Sequence, residues 1–196
     1  MKKIIFLGLV LFGCLHANAQ VTFRPGIRTG ANFSKLTEAD SDFRPDFFVG
    51  VFGALKLSRF YVFQPEISYS KQGGNNVSSY DFDQINQRYV VRKIDISNQY
   101  VTFGITNKFY INNKININIG STLDFMVDPD EYTDSEVDLA ISLGGGYKIA
   151  KNLEAEIRIK KGIVDAFMPN YSYELNNTNT NFLLQLGLSY TFDFKN

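Results

Sequence analysis

Glu154, Glu156, Arg158 and Lys160 follow one another at every second position. In an extended chain that spacing puts all four side chains on one face. Two carboxylates within reach of a guanidinium and an ammonium could do acid–base chemistry, or they could neutralise one another. Arg158, two residues beyond Glu156, favours the structural ion pair. Arg24, Arg28, Lys56 and Glu66 lie in segments with the same alternation. A second acidic group, with Asp128, Asp130 and Asp134 as its calcium candidates, also contains Glu131, Glu136 and Asp138. Oxygen-rich loops can hold calcium. The register is not that of an EF-hand: Thr133 stands where Gly is needed and Leu139 where a bidentate Glu is needed. A solvated acidic loop with no metal is the expectation.

The chain has one Cys and one His, Cys14 and His16, and no Trp. Both fall in a leader-like stretch. Lys2 and Lys3 precede the apolar run Ile4 to Gly13, and Ala17-Asn18-Ala19 is a small-x-small site. This predicts a secretory signal peptide over 1–19, cleaved after Ala19, with the mature domain over 20–196. Leu11-Phe12-Gly13-Cys14 loosely resembles a lipobox, but Phe12 is bulky where such signals carry a small residue. Cleavage after Ala19 removes the Cys and the His. The mature chain then cannot build a Ser-His-Asp, Cys-His or His-metal site. No catalytic residue is assigned, no cofactor is expected, and the protein is expected not to be an enzyme.

The elements that must position the charged face are strands. The 196 residues suit one domain, and 44% apolar with 20% charged residues is a folding composition. With 20 Lys+Arg against 20 Asp+Glu there is no electrostatic case for nucleic acid. Period-two alternation recurs in segments 22–34, 46–57, 60–70, 90–110, 115–126, 137–149, 152–161 and 181–194. In the last, Phe182, Leu184, Leu186, Leu188, Tyr190, Phe192 and Phe194 share one parity. In 90–110, Ile94 and Ile96 oppose the parity of Val101, Phe103, Ile105 and Phe109, which predicts a bulge near 97–100. Phe48, Phe52 and Leu183 are large residues on the otherwise polar face. Pro25 and Pro65 each lack a ladder donor and fit a strand end or bulge. Tight turns at Ser58-Arg59, Asn112-Asn113 and Ala150-Lys151 alternate with longer loops near 36–45, 71–89, 127–136 and 163–180. That is a meander whose long loops share one rim.

Eight such strands predict an all-β fold, an antiparallel up-and-down barrel. About five bulky residues on each strand's apolar face exceed what an eight-stranded interior holds. The Gly-, Ser-, Asn- and Thr-rich face fits a narrow lumen. The apolar face therefore turns to lipid, with Tyr61, Tyr69, Tyr110, Tyr147, Tyr190 and Phe194 as interfacial girdles. Closure also removes the sheet edges that a bilayer cannot solvate. Arg24, Arg28, Lys56, Glu66, Glu154, Glu156, Arg158 and Lys160 then project into the lumen and should pair as a structural network.

Gly26-Ile27-Arg28-Thr29-Gly30-Ala31-Asn32-Phe33-Ser34 carries a family likeness, as do Phe63-Gln64-Pro65-Glu66-Ile67-Ser68-Tyr69-Ser70-Lys71-Gln72-Gly73, Leu143-Gly144-Gly145-Gly146-Tyr147 and the run from Leu186 to Phe192. Over 20–196 the chain resembles the PorT-like outer-membrane β-barrels of Bacteroidetes. The resemblance implies the cell outer membrane, with long loops outside the cell and short turns in the periplasm. It also implies outer-membrane lipid and the barrel-assembly machinery as partners, the latter reading the aromatic final strand. Lys195 and Asn196 follow Phe194, a departure from a strictly terminal aromatic. The family's founding protein is linked to secretion, so surface or secretion proteins are partners expected through the long loops. The expected role is a non-enzymatic structural or interaction scaffold. A narrow pore or a transport or secretion accessory, and a soluble lipid-binding barrel, stand as alternatives.

Overall fold

Alternation along each segment resolves into eight antiparallel strands in a computed structural model that describes residues 21–37, 41–84, 86–128, 136–163 and 180–193. They are β1 (Thr22–Leu36), β2 (Arg44–Lys56), β3 (Tyr61–Asp83), β4 (Arg88–Tyr110), β5 (Ile115–Asp128), β6 (Val137–Lys148), β7 (Leu153–Gly162) and β8 (Asn181–Thr191). Each strand pairs with its neighbours in the chain, and β1 pairs with β8, from Gly26 opposite Thr191 to Leu36 opposite Asn181. The ring is closed, so no strand within it is left with an unpaired edge. The predicted signal peptide, with Cys14 and His16, lies outside the described residues, as does Phe194.

The apolar parity faces outward. Leu188 is 48% exposed and Val51 56%, while Glu154 is 6% and Arg158 2% exposed. This is the orientation of a membrane barrel, and it removes the soluble lipid-carrier alternative, which needs an apolar interior. Aromatic rings cluster near the short-turn rim, where Tyr61 stacks on Phe109 at 5.2 Å and Tyr190 meets Phe192 edge-on at 5.3 Å. Nearer the long-loop rim, Phe47 packs on Tyr69 at 5.9 Å and Phe103 on Phe125 at 5.7 Å. Tyr110 departs from the girdle expectation. It has lumen parity, and its hydroxyl donates to Glu154 Oε2 at 3.1 Å.

Pro65 sits where β2–β3 pairing is interrupted, between the pairs Phe52 with Glu66 and Leu55 with Phe63. Pro25 lies just past the last β1–β8 pair, and its carbonyl accepts from Phe192 N at 2.8 Å.

The largest difference from the sequence reading is at 71–89. The Gly- and Asn-rich run reads as a loop, yet β3 and β4 stay paired out to Asp83 and Arg88. Residues 75 and 76 form a bulge that the ladder absorbs. The register shifts between Gly74 and Val77, Asn76 takes φ of 53°, and its backbone N–H donates to Asp95 Oδ1 at 2.9 Å. β4 itself keeps one parity throughout. A register shift does fall at Gln99/Tyr100, where Val127 of β5 is the extra residue. Ile96 therefore points inward and packs with Leu36 and Val77 in a small apolar cluster, Ile94 resting against it. Beyond β2 and β5, this pair of strands continues for about 11 residues each, roughly 35 Å of two-stranded ribbon.

Candidate functional site: the lumen

β7 supplies the spine of the lumen. Glu154, Glu156, Arg158 and Lys160 stand about 7 Å apart along its inner face. β1 adds Arg28, β3 adds Glu66 and β4 adds Lys108. Arg158 reaches Glu66 Oε1 through Nη1 at 2.8 Å and Glu156 Oε2 through Nη2 at 2.8 Å. Arg28 shares both carboxylates, at 3.0 Å and 3.8 Å. Lys108 Nζ lies 2.8 Å from Glu154 and 2.5 Å from Glu156. Three cations and three carboxylates thus balance in one connected cluster.

Neutral side chains add further hydrogen bonds to the cluster. Gln64 donates to Glu66 at 3.2 Å, Ser189 to Glu156 at 2.9 Å, and Arg158 donates to Thr106 at 3.2 Å. One layer toward the long loops, Lys160 pairs with Asp124, which also accepts from Gln72 at 3.4 Å. Above that, Asn32 Nδ2 donates to Ser70 at 2.8 Å while its Oδ1 accepts from Gln185 at 2.8 Å. Such dense pairing is what makes buried charge tolerable in a narrow tube.

The residues that resisted the polar parity plug the remaining space. Phe48 lies under the Arg28 guanidinium, 4.6 Å from ring centroid to Cζ. A side chain at Gly187 would come within 2.8 Å of the Phe48 ring, and one at Gly26 would overlap the Phe52 ring. Leu183 is fully buried. Between Arg28, Glu66, Arg158 and Lys160 a void of about 10 Å³ remains, the room of a single water.

Six of the eight expected lumen residues meet in this interior: Arg28, Glu66, Glu154, Glu156, Arg158 and Lys160. Arg24 and Lys56 do not. They sit at the short-turn mouth, where the strands end and water enters. Arg24 pairs there with Asp193 at 3.3 Å. Hydrogen bonds from Lys151 and Asn152 hold the Asp193 carboxyl below its ordinary range. Sequence reasoning missed Lys108, Asp124 and Tyr110 as members. Lys108 shares the parity of Thr102, Gly104 and Thr106, opposite Phe103 and Ile105, so parity alone could have found it. Of the calcium candidates, Asp130 and Asp134 lie outside the described residues, and Asp128 closes β5.

The sequence matches the outer membrane protein beta-barrel domain over residues 5–192. The chain belongs to that family. It is an integral outer-membrane barrel. Among solved structures it is similar to Neisserial surface protein A, at 10% identity and a TM-score of 0.49, covering 87% of this chain and 97% of that one. It is similar to the Yersinia pestis outer membrane protein Ail in a phospholipid nanodisc, at 12% identity and 0.48, covering 87% and 100%. It is also similar to the N-terminal β-barrel domain of Pseudomonas aeruginosa OprF, at 11% and 0.46, covering 87% and 100%. No curated protein matches the chain in sequence.

Proposed function

We propose that this barrel is a non-enzymatic scaffold, closed to ions, that holds the β3–β4 ribbon and the long loops at one face of the outer membrane for contact with a partner. One observation carries the reading: the Arg28–Glu66–Arg158–Glu156–Lys108 cluster crosses the lumen, and the void between Arg28, Glu66, Arg158 and Lys160 holds about 10 Å³. Its carboxylates are each engaged by a cation, which suits filling and stiffening rather than proton transfer. A rigid ring carrying a long projecting element is the arrangement in which binding commonly resides. The PorT-like pattern in β1, β3, β6 and β8 supports placing the chain with the Bacteroidetes barrels of that kind, with the ribbon on the cell surface and surface or secretion proteins as its partners.

Single-channel recording on the refolded protein tests the closure. A silent bilayer is expected, and a steady ohmic current would overturn it in favour of a narrow pore. Crosslinking from intact outer membranes tests the scaffold. Adducts should map to 71–99, and adducts confined to the lipid-facing strand surface would count against it.

A further inference from the structure

At the short-turn end the lumen opens into a cavity of about 270 Å³ whose wall carries Arg24, Lys56, Arg59, Lys108, Lys148 and Lys151. Glu154 is the carboxylate in that wall, and it is engaged by Lys108 and Tyr110. Asp193, at the rim, is shared between Arg24 and Lys151. Lys56, Arg59 and Lys148 have no carboxylate within salt-bridge distance among the described residues. Lys148 instead rests on the Tyr110 ring, 4.3 Å from Nζ to centroid. That contact fixes its stem while leaving ammonium hydrogens for another acceptor. Arg59 is held in the same way over Phe60, at 4.5 Å. The concentration of positive charge is local, since the chain as a whole has 20 basic and 20 acidic residues. The balanced cluster deeper in the lumen adds no opposing charge.

We infer that this vestibule is a binding site for a multiply charged phosphate group. Three cations without carboxylates, converging with amide and hydroxyl donors in a concave wall, match several phosphate oxygens at once. A single carboxylate would leave most of that charge unanswered. The cavity is small enough that the charged head alone would enter. Two sources share this chemistry: a soluble phosphate compound, and the headgroup of an anionic phospholipid in the adjoining leaflet.

The test is calorimetric titration of inorganic pyrophosphate into the refolded full chain in an uncharged detergent at low ionic strength. Saturable one-site binding that weakens as salt rises is expected. The Lys56→Gln/Lys148→Gln double variant should bind at least roughly tenfold more weakly, the loss of a charge-assisted contact. Lys161→Gln, at an exposed site on β7 far from the mouth, should bind as the parent does. Both lysines of the double variant sit at the rim, and resistance of the barrel to dodecyl sulfate without heating checks that it has folded. Repeating the titration in bilayers containing phosphatidic acid, whose phosphomonoester head can carry two charges, and in phosphatidylglycerol bilayers of equal surface charge, separates the sources. Pyrophosphate binding weaker in the phosphatidic acid bilayers than in the phosphatidylglycerol bilayers assigns the site to lipid headgroups, and equal binding in the two assigns it to free phosphates. No saturable binding by the parent, or equal binding by the double variant, would overturn the inference.

Discussion

Replacing Arg158 by Met keeps a long stem and removes the guanidinium that ties β7 to β3 and β4. In the structure that guanidinium makes two contacts of 2.8 Å to carboxylates and one of 3.2 Å to Thr106. Glu66 would retain Arg28 at 3.0 Å and Gln64, while Glu156 would retain Lys108 and Ser189. The cluster would then hold two cations against three buried carboxylates. Removing one partner of a buried pair costs about 3–5 kcal/mol, and two carboxylates are affected here, so the upper half of that range is expected. With a urea slope of about 2 kcal/mol/M, the unfolding midpoint should fall by roughly 2 M. Glu66→Gln made in the Arg158→Met background restores charge balance. The double variant should be more stable than the sum of the single effects predicts, by at least about 1.5 kcal/mol. The chain has no Trp, so urea unfolding in lipid vesicles is followed by circular dichroism or tyrosine fluorescence. A loss under about 0.5 kcal/mol for Arg158→Met, or strict additivity in the cycle, would refute the claim that this charge is buried and paired.

Leu143→Arg places a charge on the lipid face of β6 where Leu143 is 57% exposed. It should cost about 2–4 kcal/mol of folding free energy in a bilayer, against at most about 1 for Tyr147→Arg at the rim. Equal costs at the two depths, measured by reversible folding into vesicles, would argue against lipid contact at Leu143. Gly26→Val drives a side chain into the Phe52 ring and should cost about 1–3 kcal/mol. The same change should cost less in a Phe52→Leu background, so a double-mutant cycle without coupling would remove the ring as the cause. Val77→Asp puts a carboxylate where Val77, Leu36 and Ile96 are buried together and should release the ribbon. Trypsin would then cut at Arg92 or Lys93 while β5 to β7 stay protected, and an unchanged digestion pattern would show that the cluster does not pin the ribbon.

The ring itself was legible because a period of two is strict: from Phe182 to Phe192 every second residue faces lipid, and a strand has no other way to segregate them. The lumen followed from the same parity, which is why Glu154, Glu156, Arg158 and Lys160 fell where expected. Parity does not report depth along the strand axis, however. Arg24 and Lys56 have the right face and the wrong level, and they end at the open mouth. Nor does parity name partners. Lys108 bridges Glu154 and Glu156 across the lumen, from β4 to β7, two strands that do not pair in the ring, and sequence spacing carries no trace of that closeness. The ribbon was missed for a different reason. Gly73-Gly74-Asn75-Asn76 has the composition of a turn, while its pairing is secured by a bulge and by Val77 packing beneath Ile96, which are tertiary facts.

The polar interior also supplies information that the apolar exterior cannot. Lipid accepts any large apolar side chain, so the outer face tolerates a slip of two residues between neighbouring strands, which preserves every in–out assignment. The inner face does not tolerate it. In the observed register Phe48 lies opposite Gly30, and Phe52 opposite Gly26. A slip of two would set Phe48 against Arg28 or Asn32, and Phe52 against Arg24 or Arg28, so each ring would meet a long or amide side chain in place of a glycine. The same slip between β6 and β7 would move Arg158 from Gly144 and Glu156 from Gly146. It would shift one or the other opposite Ser142 or Lys148 and carry the charges off the level of Glu66 and Lys108. One-residue slips are rejected by the bilayer, and two-residue slips by the lumen, through ring-over-glycine fit and charge alignment together. The filled interior therefore accounts for the choice of one register among those the membrane alone would accept, which is a reason for eight strands to carry so many costly buried charges.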